Sequence, residues 1–277
     1  MDTSDKFDSR DRQIVTALTR GLSILECFRI DQPLMTNGQI ATRCRLPRSS
    51  VSRLTHTLVK QGYLEYDSTN SAYQLGAKLL SLGYAMRGGM GLRRLALPYM
   101  EELARESNSL VALAACENLN MLVIEVVRNP TSKVKILEVG ARLPLDSTAM
   151  GRAFLVSCSQ VEQKKLLAQI AKNRNIDAQS LSDNIQSQIS NYGRDGYCVS
   201  LNDWRVGANG VAVPLYLKDI GRRIVLTCGG TSKQLTEKII RGKIAPMLLK
   251  TAIEIETIHK KMSQAMFDGL RHRKSSS

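Results

Sequence analysis

The stretch CRLPRSSVSRLTHTLVKQGYLEYDSTNSAYQL, residues 44–75, limits the possible folds of this chain more than any other. Its first half sets Val51, Leu54 and Leu58 at i, i+3 and i+7, one apolar face of a helix over residues 48–61. Pro47 suits the start of that helix, and Gly62 stops it. The second half alternates around a polar turn, DSTNS, and predicts a β-hairpin. Upstream, Ile14, Leu18, Leu22, Leu25 and Phe28 follow a helical spacing over residues 14–30, broken by DQP. A short helix over residues 36–44 has Thr36 or Asn37 as its cap, with Ile40 and Ala41 facing inward. Three helices and a hairpin in this order describe a winged helix-turn-helix over residues 13–75.

Charge suggests what such a unit touches. The 277 residues hold 39 Lys and Arg against 25 Asp and Glu, a net charge of +14. A surplus of this size implies a polyanion, nucleic acid ahead of an anionic membrane. The stretch CRLPRSSVSRLTHTLVKQ carries Arg45, Arg48, Arg53 and Lys60 and no acidic residue. With Val51, Leu54 and Leu58 turned to the core, Arg48, Ser49, Ser50, Ser52 and Arg53 are left on or near the exposed face. Arginine can pair with guanine O6 and N7, and serine reaches phosphates or base edges. The helix start adds N–H groups for a phosphate. Ser68, Thr69 and Asn70 of the wing would lie along the backbone or minor groove, whereas Asp67 would repel phosphate. The expected partner is double-stranded operator DNA.

Residues 76–87 form a further amphipathic pattern that runs into GGMG, the expected hinge. Beyond it, helical and strand patterns alternate. Helices are expected over 92–106, 147–157, 163–171 and 181–192, and strands over 111–116, 122–127, 134–139, 197–201, 210–216 and 223–228. A long helical region over 233–266 contains Pro246, which predicts a kink. The expected organisation is a flexible arm (1–12), the winged helix-turn-helix (13–75), a linker helix and hinge (76–91), an α/β domain (92–266) and a disordered tail (267–277). The fold class is thus two-domain α/β.

The six cysteines form no C-x-x-C pair, and the three histidines form no ligand pattern with them, so neither a metal nor a cofactor is expected. The polar N-terminus with its four aspartates is no signal peptide, and apolar stretches such as SLVALAAC are far shorter than the roughly 20 residues of a membrane span. No membrane association is expected, and the location expected is the cytoplasm.

RGLSILECF, then LPRSSVSRLTHTLVKQGYLEY, then YQLGAKLLSLG resembles the DNA-binding half and linker helix of the IclR-type transcription regulators. GARLPLDSTAMGRAFL, GYCVSLNDWRVGANGVAVPLY and GRRIVLTCGG continue the likeness, which spans residues 14–262. The resemblance implies a GAF-like α/β effector domain behind the winged helix-turn-helix. It also implies a homodimer, often a dimer of dimers, and control of a catabolic operon by a small organic effector, an aromatic acid or another carboxylate. Matched by position, the effector pocket would use Leu143, Asp146, Ala149, Met150, Ser200, Asp203, Trp204, Gly210, Thr227 and Gly229. Several depart from the common pattern. Asp146 stands where many members have His, Ser200 where an acid is frequent, and Asp203 in place of Glu. Gly210 and Gly229 are small, which would enlarge the cavity and favour a ring-bearing effector. Trp204 would stack on that ring, or simply pack at the domain edge.

Two other classes compete. Nucleophilic catalysis fails for lack of a histidine in the second domain before His259, which leaves only the pair Asp146 and Asp203 for acid–base work; no catalytic residue is expected. An architectural, sequence-independent DNA binder would explain the charge but leave the α/β domain without a role. Within GARLPLDSTAMGRAF, Pro144 ends a strand and Asp146 or Ser147 caps a helix whose free N–H groups can hold a carboxylate. An ionised Asp146 pointing into the pocket would instead favour a neutral or hydroxylated effector; capping, or pairing with Arg142, keeps the acid.

Overall fold

A computed structural model describes residues 13–29, 31–89, 91–129, 137–217 and 223–274. The expected arm (1–12), residues 134–136 of one expected strand and residues 275–277 of the expected tail lie outside them. The chain divides into two compact units, Met1–Met90 and Gly91–Ser277.

The first unit contains α1 (Thr16–Glu26), α2 (Asn37–Cys44), α3 (Arg48–Lys60), β1 (Leu64–Asp67), β2 (Ala72–Leu75) and α4 (Ala77–Gly89). Thr36 is the cap of α2. Its hydroxyl accepts from the Gln39 N–H while its own N–H donates to Gln39 Oε1 at 2.8 Å, a reciprocal capping box. Arg45 ends α2 in the left-handed region, φ 54°, and reverses the chain toward α3. Ile24, Met35, Ile40, Val51 and Leu64 form the core, with Leu54 and Leu58 half-buried against it. Thr55 is also fully buried; its hydroxyl is satisfied by the Val51 carbonyl at 2.9 Å. In the hairpin Tyr66 opposes Tyr73, their ring centroids 5.1 Å apart. Asp67 Oδ1 accepts from the N–H groups of Thr69 and Asn70, which shapes the turn. On α1 the other apolar stripe, Val15, Leu18 and Leu22, remains exposed, as do Leu80 and Leu82 on α4.

In the second unit α5 (Gly91–Ser107) leads into a six-stranded antiparallel sheet ordered β5-β4-β3-β8-β7-β6. These strands are β3 (Leu110–Glu117), β4 (Asn120–Val127), β5 (Arg142–Pro144), β6 (Cys198–Leu201), β7 (Ala208–Leu215) and β8 (Ile224–Thr231). Helices α6 (Ala149–Val156), α7 (Gln160–Arg174) and α8 (Ala178–Asp195) follow β5. After β8 come the single turn α9 (Glu237–Ile239), a π-helical segment (Ile240–Ile244) and α10 (Ala245–Lys274). The central strand β3 is covered on both faces, by α6 on one side and α5 on the other, so it reads as a continuous apolar run.

Two expectations need correction, and that at Pro246 gains detail. The strand expected over 134–139 is absent at 137–139. The edge strand is instead β5, aligned on β4 by the Gly140 N–H donating to the Val123 carbonyl at 2.8 Å. Gly140, at φ 88°, makes the turn that delays pairing. Pro246 has no N–H to return to Gly242, and the chain answers with the wider π-helical turn before it. Finally, α10 continues to Lys274, well into residues 267–277 expected as a disordered tail. Among the described residues, no helix is long and apolar enough to cross a membrane.

Candidate functional sites in the two units

Residues 32–64 contain no Asp or Glu, and α2, its turn and α3 present Arg45, Arg48 and Arg53 to solvent. Ser49 and Ser52 are exposed beside them, whereas Ser50 is half-buried. Ser52 Oγ accepts from Asn37 Nδ2 at 3.0 Å, which holds the starts of α2 and α3 together. The Arg48 guanidinium lies over Gly38, where an added methyl would meet Nη2 at 3.3 Å. No side chain caps the start of α3, so its first N–H groups point outward without an internal acceptor from a capping side chain. Ser68 and Thr69 sit exposed at the tip of the wing.

The second unit encloses a cavity of about 60 Å³ between the sheet and α6. One water needs roughly 10–15 Å³ on the same measure, so the space suits a one-ring organic molecule better than a single solvent molecule. Its floor is a cross-strand row. Leu110 opposes Gly229, Gly229 opposes Gly210, and Gly210 opposes Ser200. Two adjacent residues without a Cβ leave the floor low. Ala149 and Met150 at the start of α6 form the roof, and Leu143, Leu137 and Trp204 close the sides.

The polar atoms of the wall are already oriented. The Thr148 hydroxyl donates to the Pro144 carbonyl at 2.7 Å and accepts from the Gly151 N–H at 3.0 Å. Ser200 Oγ donates to the Ser147 carbonyl and Thr227 Oγ1 to the Val211 carbonyl, each at 2.9 Å. Having given their only hydrogen, Ser200 and Thr227 can offer a ligand only acceptor lone pairs. The first two N–H groups of α6, those of Ala149 and Met150, have no partner within the helix and can only donate. Burial pushes the Cys228 thiol up to about 12. Among the described residues no charged side chain lines the space.

A family model described as IclR helix-turn-helix domain matches residues 17–68, and the model of the bacterial transcriptional regulator IclR C-terminal matches residues 85–257. The chain belongs to the IclR family of transcriptional regulators. An IclR-family regulator from Brucella abortus has a solved structure with TM-score 0.84 and 35% identity, covering 91% of this chain and 95% of that one. The HTH-type transcriptional regulator TsaQ1/TsaQ2 of Comamonas testosteroni is 29% identical over 92% of each chain. An IclR homologue from Microbacterium hydrocarbonoxydans, solved with 4-hydroxybenzoate, has TM-score 0.69 and 25% identity, covering 89% of this chain and 100% of that one.

Against this IclR frame, the structure brings Leu143, Ala149, Met150, Ser200, Trp204, Gly210, Thr227 and Gly229 to one cavity. Asp146 and Asp203 are not in its wall. Asp146 neither caps α6 nor pairs with Arg142. Thr148 is the cap, Arg174 holds Asp146 at 2.6 Å, and Arg142 pairs with Glu117. Arg152, buried beneath the turn, donates to Asp203 Oδ2 at 2.6 Å and to the Val199 carbonyl at 2.7 Å. With each carboxylate occupied by an arginine, neither reaches the cavity as an acid–base group. Sequence reasoning missed Leu110, Leu137, Thr148, Ala208, Asn209, Cys228 and Gly230. A Ser/Thr cap signal could have found Thr148; Leu110 enters only through its pairing with Gly229, which no local pattern announces.

Proposed function

We propose that this IclR-family protein controls a catabolic operon in response to a hydroxylated aromatic carboxylate bound in the second unit. The observation that carries the reading is the polarity of the cavity. Donor-only N–H groups of Ala149 and Met150 and acceptor-only hydroxyls of Ser200 and Thr227 share a cavity whose other walls are apolar. A ring bearing both a carboxylate and a hydroxyl satisfies both kinds of group. The carboxylate takes the positive end of α6 and the hydroxyl donates to the serine or threonine. The 4-hydroxybenzoate held by the Microbacterium relative has this chemistry. Trp204 supplies an aromatic face at the side.

On the DNA side, Arg45, Arg48, Ser49, Ser50, Ser52 and Arg53 are assigned to the major groove and its flanking phosphates, and Ser68 and Thr69 to the wing contact. The exposed stripes on α1 and α4 favour a homodimer, with a dimer of dimers as the larger assembly. Ligand acts by its differential affinity for two placements of the paired winged helices, transmitted through residues 76–91.

Trp204 is the single tryptophan, so its fluorescence reports on the cavity directly. Titration with 4-hydroxybenzoate should change the emission saturably; benzoate, lacking the donor, should bind about tenfold more weakly, and 4-cresol, lacking the carboxylate, weaker still. Equal response to all three, or to none, refutes the assignment. A footprint separates this regulator from an architectural DNA binder, because the regulator protects a palindromic site and the ligand alters that protection.

A further inference from the structure

The first unit holds a pair of thiols that the DNA and ligand readings leave unused. Cys27 closes α1 and Cys44 is the last residue of α2. Both are buried in the core of this unit. Cys27 Sγ lies 3.0 Å from the Ile24 carbonyl, and Cys44 Sγ lies 3.6 Å from the adjacent carbonyl of Ser23. Two thiols directed at consecutive carbonyls of one helix end are neighbours. Met35 Sδ sits 3.8 Å from Cys27 Sγ, and Arg43, whose Nη1 donates to the Cys27 carbonyl at 2.9 Å, brings a positive charge alongside.

We propose that Cys27 and Cys44 form an oxidant-responsive dithiol, closed to a disulfide by a peroxide, and that closure weakens DNA binding. The second half of this statement rests on the DNA reading above; the first does not. The adjoining Cys27 thiol holds the Cys44 thiol below its usual value while Cys27 itself is pushed up, and Arg43 favours the anion at both, so Cys44 is the nucleophile. Its thiolate attacks one oxygen of hydrogen peroxide; the O–O bond breaks, sulfur gains OH, and hydroxide leaves. The Cys27 sulfur then attacks the sulfenic sulfur. An S–S bond forms, the S–O bond breaks, and the oxygen departs as water with the Cys27 proton. Overall two thiols and one peroxide give one disulfide and two waters. Closing the pair brings the sulfurs to about 2.05 Å, well inside thiol contact. That draws the end of α2 toward α1 and displaces Arg45 and the turn that aims α3.

The experiment titrates the full-length reduced protein with hydrogen peroxide, alkylates the remaining thiols, digests without reductant and maps the peptides. The same samples are assayed for binding to a duplex selected from a random-sequence library by the reduced protein. The expected result is a linked peptide pair containing Cys27 and Cys44, with DNA affinity falling about tenfold or more and returning on reduction. Cys27→Ala, Cys44→Ala and the milder Cys44→Ser should form no such link and keep their affinity in peroxide. The wild-type map depends on no variant folding. The dithiol assignment is overturned if Cys27 and Cys44 stay alkylatable while other cysteines oxidise, or if either links elsewhere first. Full DNA affinity in the linked protein overturns the regulatory consequence. A selection that returns no sequence instead sinks the DNA reading, and the peptide map still decides the disulfide.

Discussion

Replacing Gly229 by alanine should separate stability from ligand binding. A methyl built there meets nothing closer than the Asn209 carbonyl at 3.9 Å, and the backbone is not in the left-handed region, so the free protein accepts it without strain. Gly→Ala at a compatible site raises stability by about 0.4–1 kcal/mol through the unfolded chain. For a unit of this size that is a rise in Tm of roughly 1–4 °C. The methyl projects into the cavity, because Gly229 lies in one row with Leu110 and Gly210, and a methyl on Gly210 would meet Ala149 of α6 at 3.6 Å. A ring resting on that floor must shift or compress its neighbours, at about 1–3 kcal/mol, or roughly 5- to 150-fold in affinity. Thermal unfolding without ligand and Trp204 fluorescence titration with 4-hydroxybenzoate measure the two effects on one sample. Opposite signs are the expected result. A raised Tm with unchanged affinity would show that the ligand does not rest on this floor.

Other predictions follow from particular contacts. Arg53→Ala should weaken binding to the selected duplex by about 1–3 kcal/mol and leave the Trp204 titration unmoved; equal loss in both assays would argue against independent sites. Gly151→Ala should destabilise the second unit by about 1–3 kcal/mol or more in denaturant melts, because its methyl would fall within the Leu145 backbone. Wild-type stability in such melts refutes that close approach. Arg223, helped by the Ser159 N–H, holds the Glu162 carboxylate down at about 2. A depressed folded-state value gives stability that is present above the ordinary Glu value near 4.3 and lost as pH falls toward 2. The pair is nearly half exposed, so the loss is about 1 kcal/mol or less, and Glu162→Gln should flatten that part of the stability profile.

What the sequence revealed followed from local periodicity. Val51, Leu54 and Leu58 mark the inward face of α3 because a helix repeats on a scale that seven residues sample. Thr55, fully buried beside them, was invisible because its hydroxyl is satisfied by its own helix. On α1 the spacing found one apolar stripe but could not say that Leu18 and Leu22 remain outside while Ile24 goes in. That choice belongs to packing against α2 and α3. The glycines of the cavity floor were legible as small residues, but the row that joins them to Leu110 and Ser200 is a matter of register between strands far apart in the chain.

Electrostatics of the cavity show the same limit most sharply. Read locally, Asp146 and Asp203 both fall in the expected pocket wall, and an ionised Asp146 pointing inward would disfavour an acidic ligand. Their partners, Arg174 and Arg152, stand 28 and 51 residues away, and no local pattern pairs them. Once paired, both carboxylates are held outside the lining. The net field left on the ligand is that of the α6 start, which favours an anion. On the carboxylate reading proposed above, Arg152 bears on ligand choice without lining the cavity. It neutralises Asp203 and, through the Val199 carbonyl, braces β6 ahead of the loop that carries Trp204. On that reading, the residue that neutralises a negative charge near the cavity also braces the strand leading to its aromatic side.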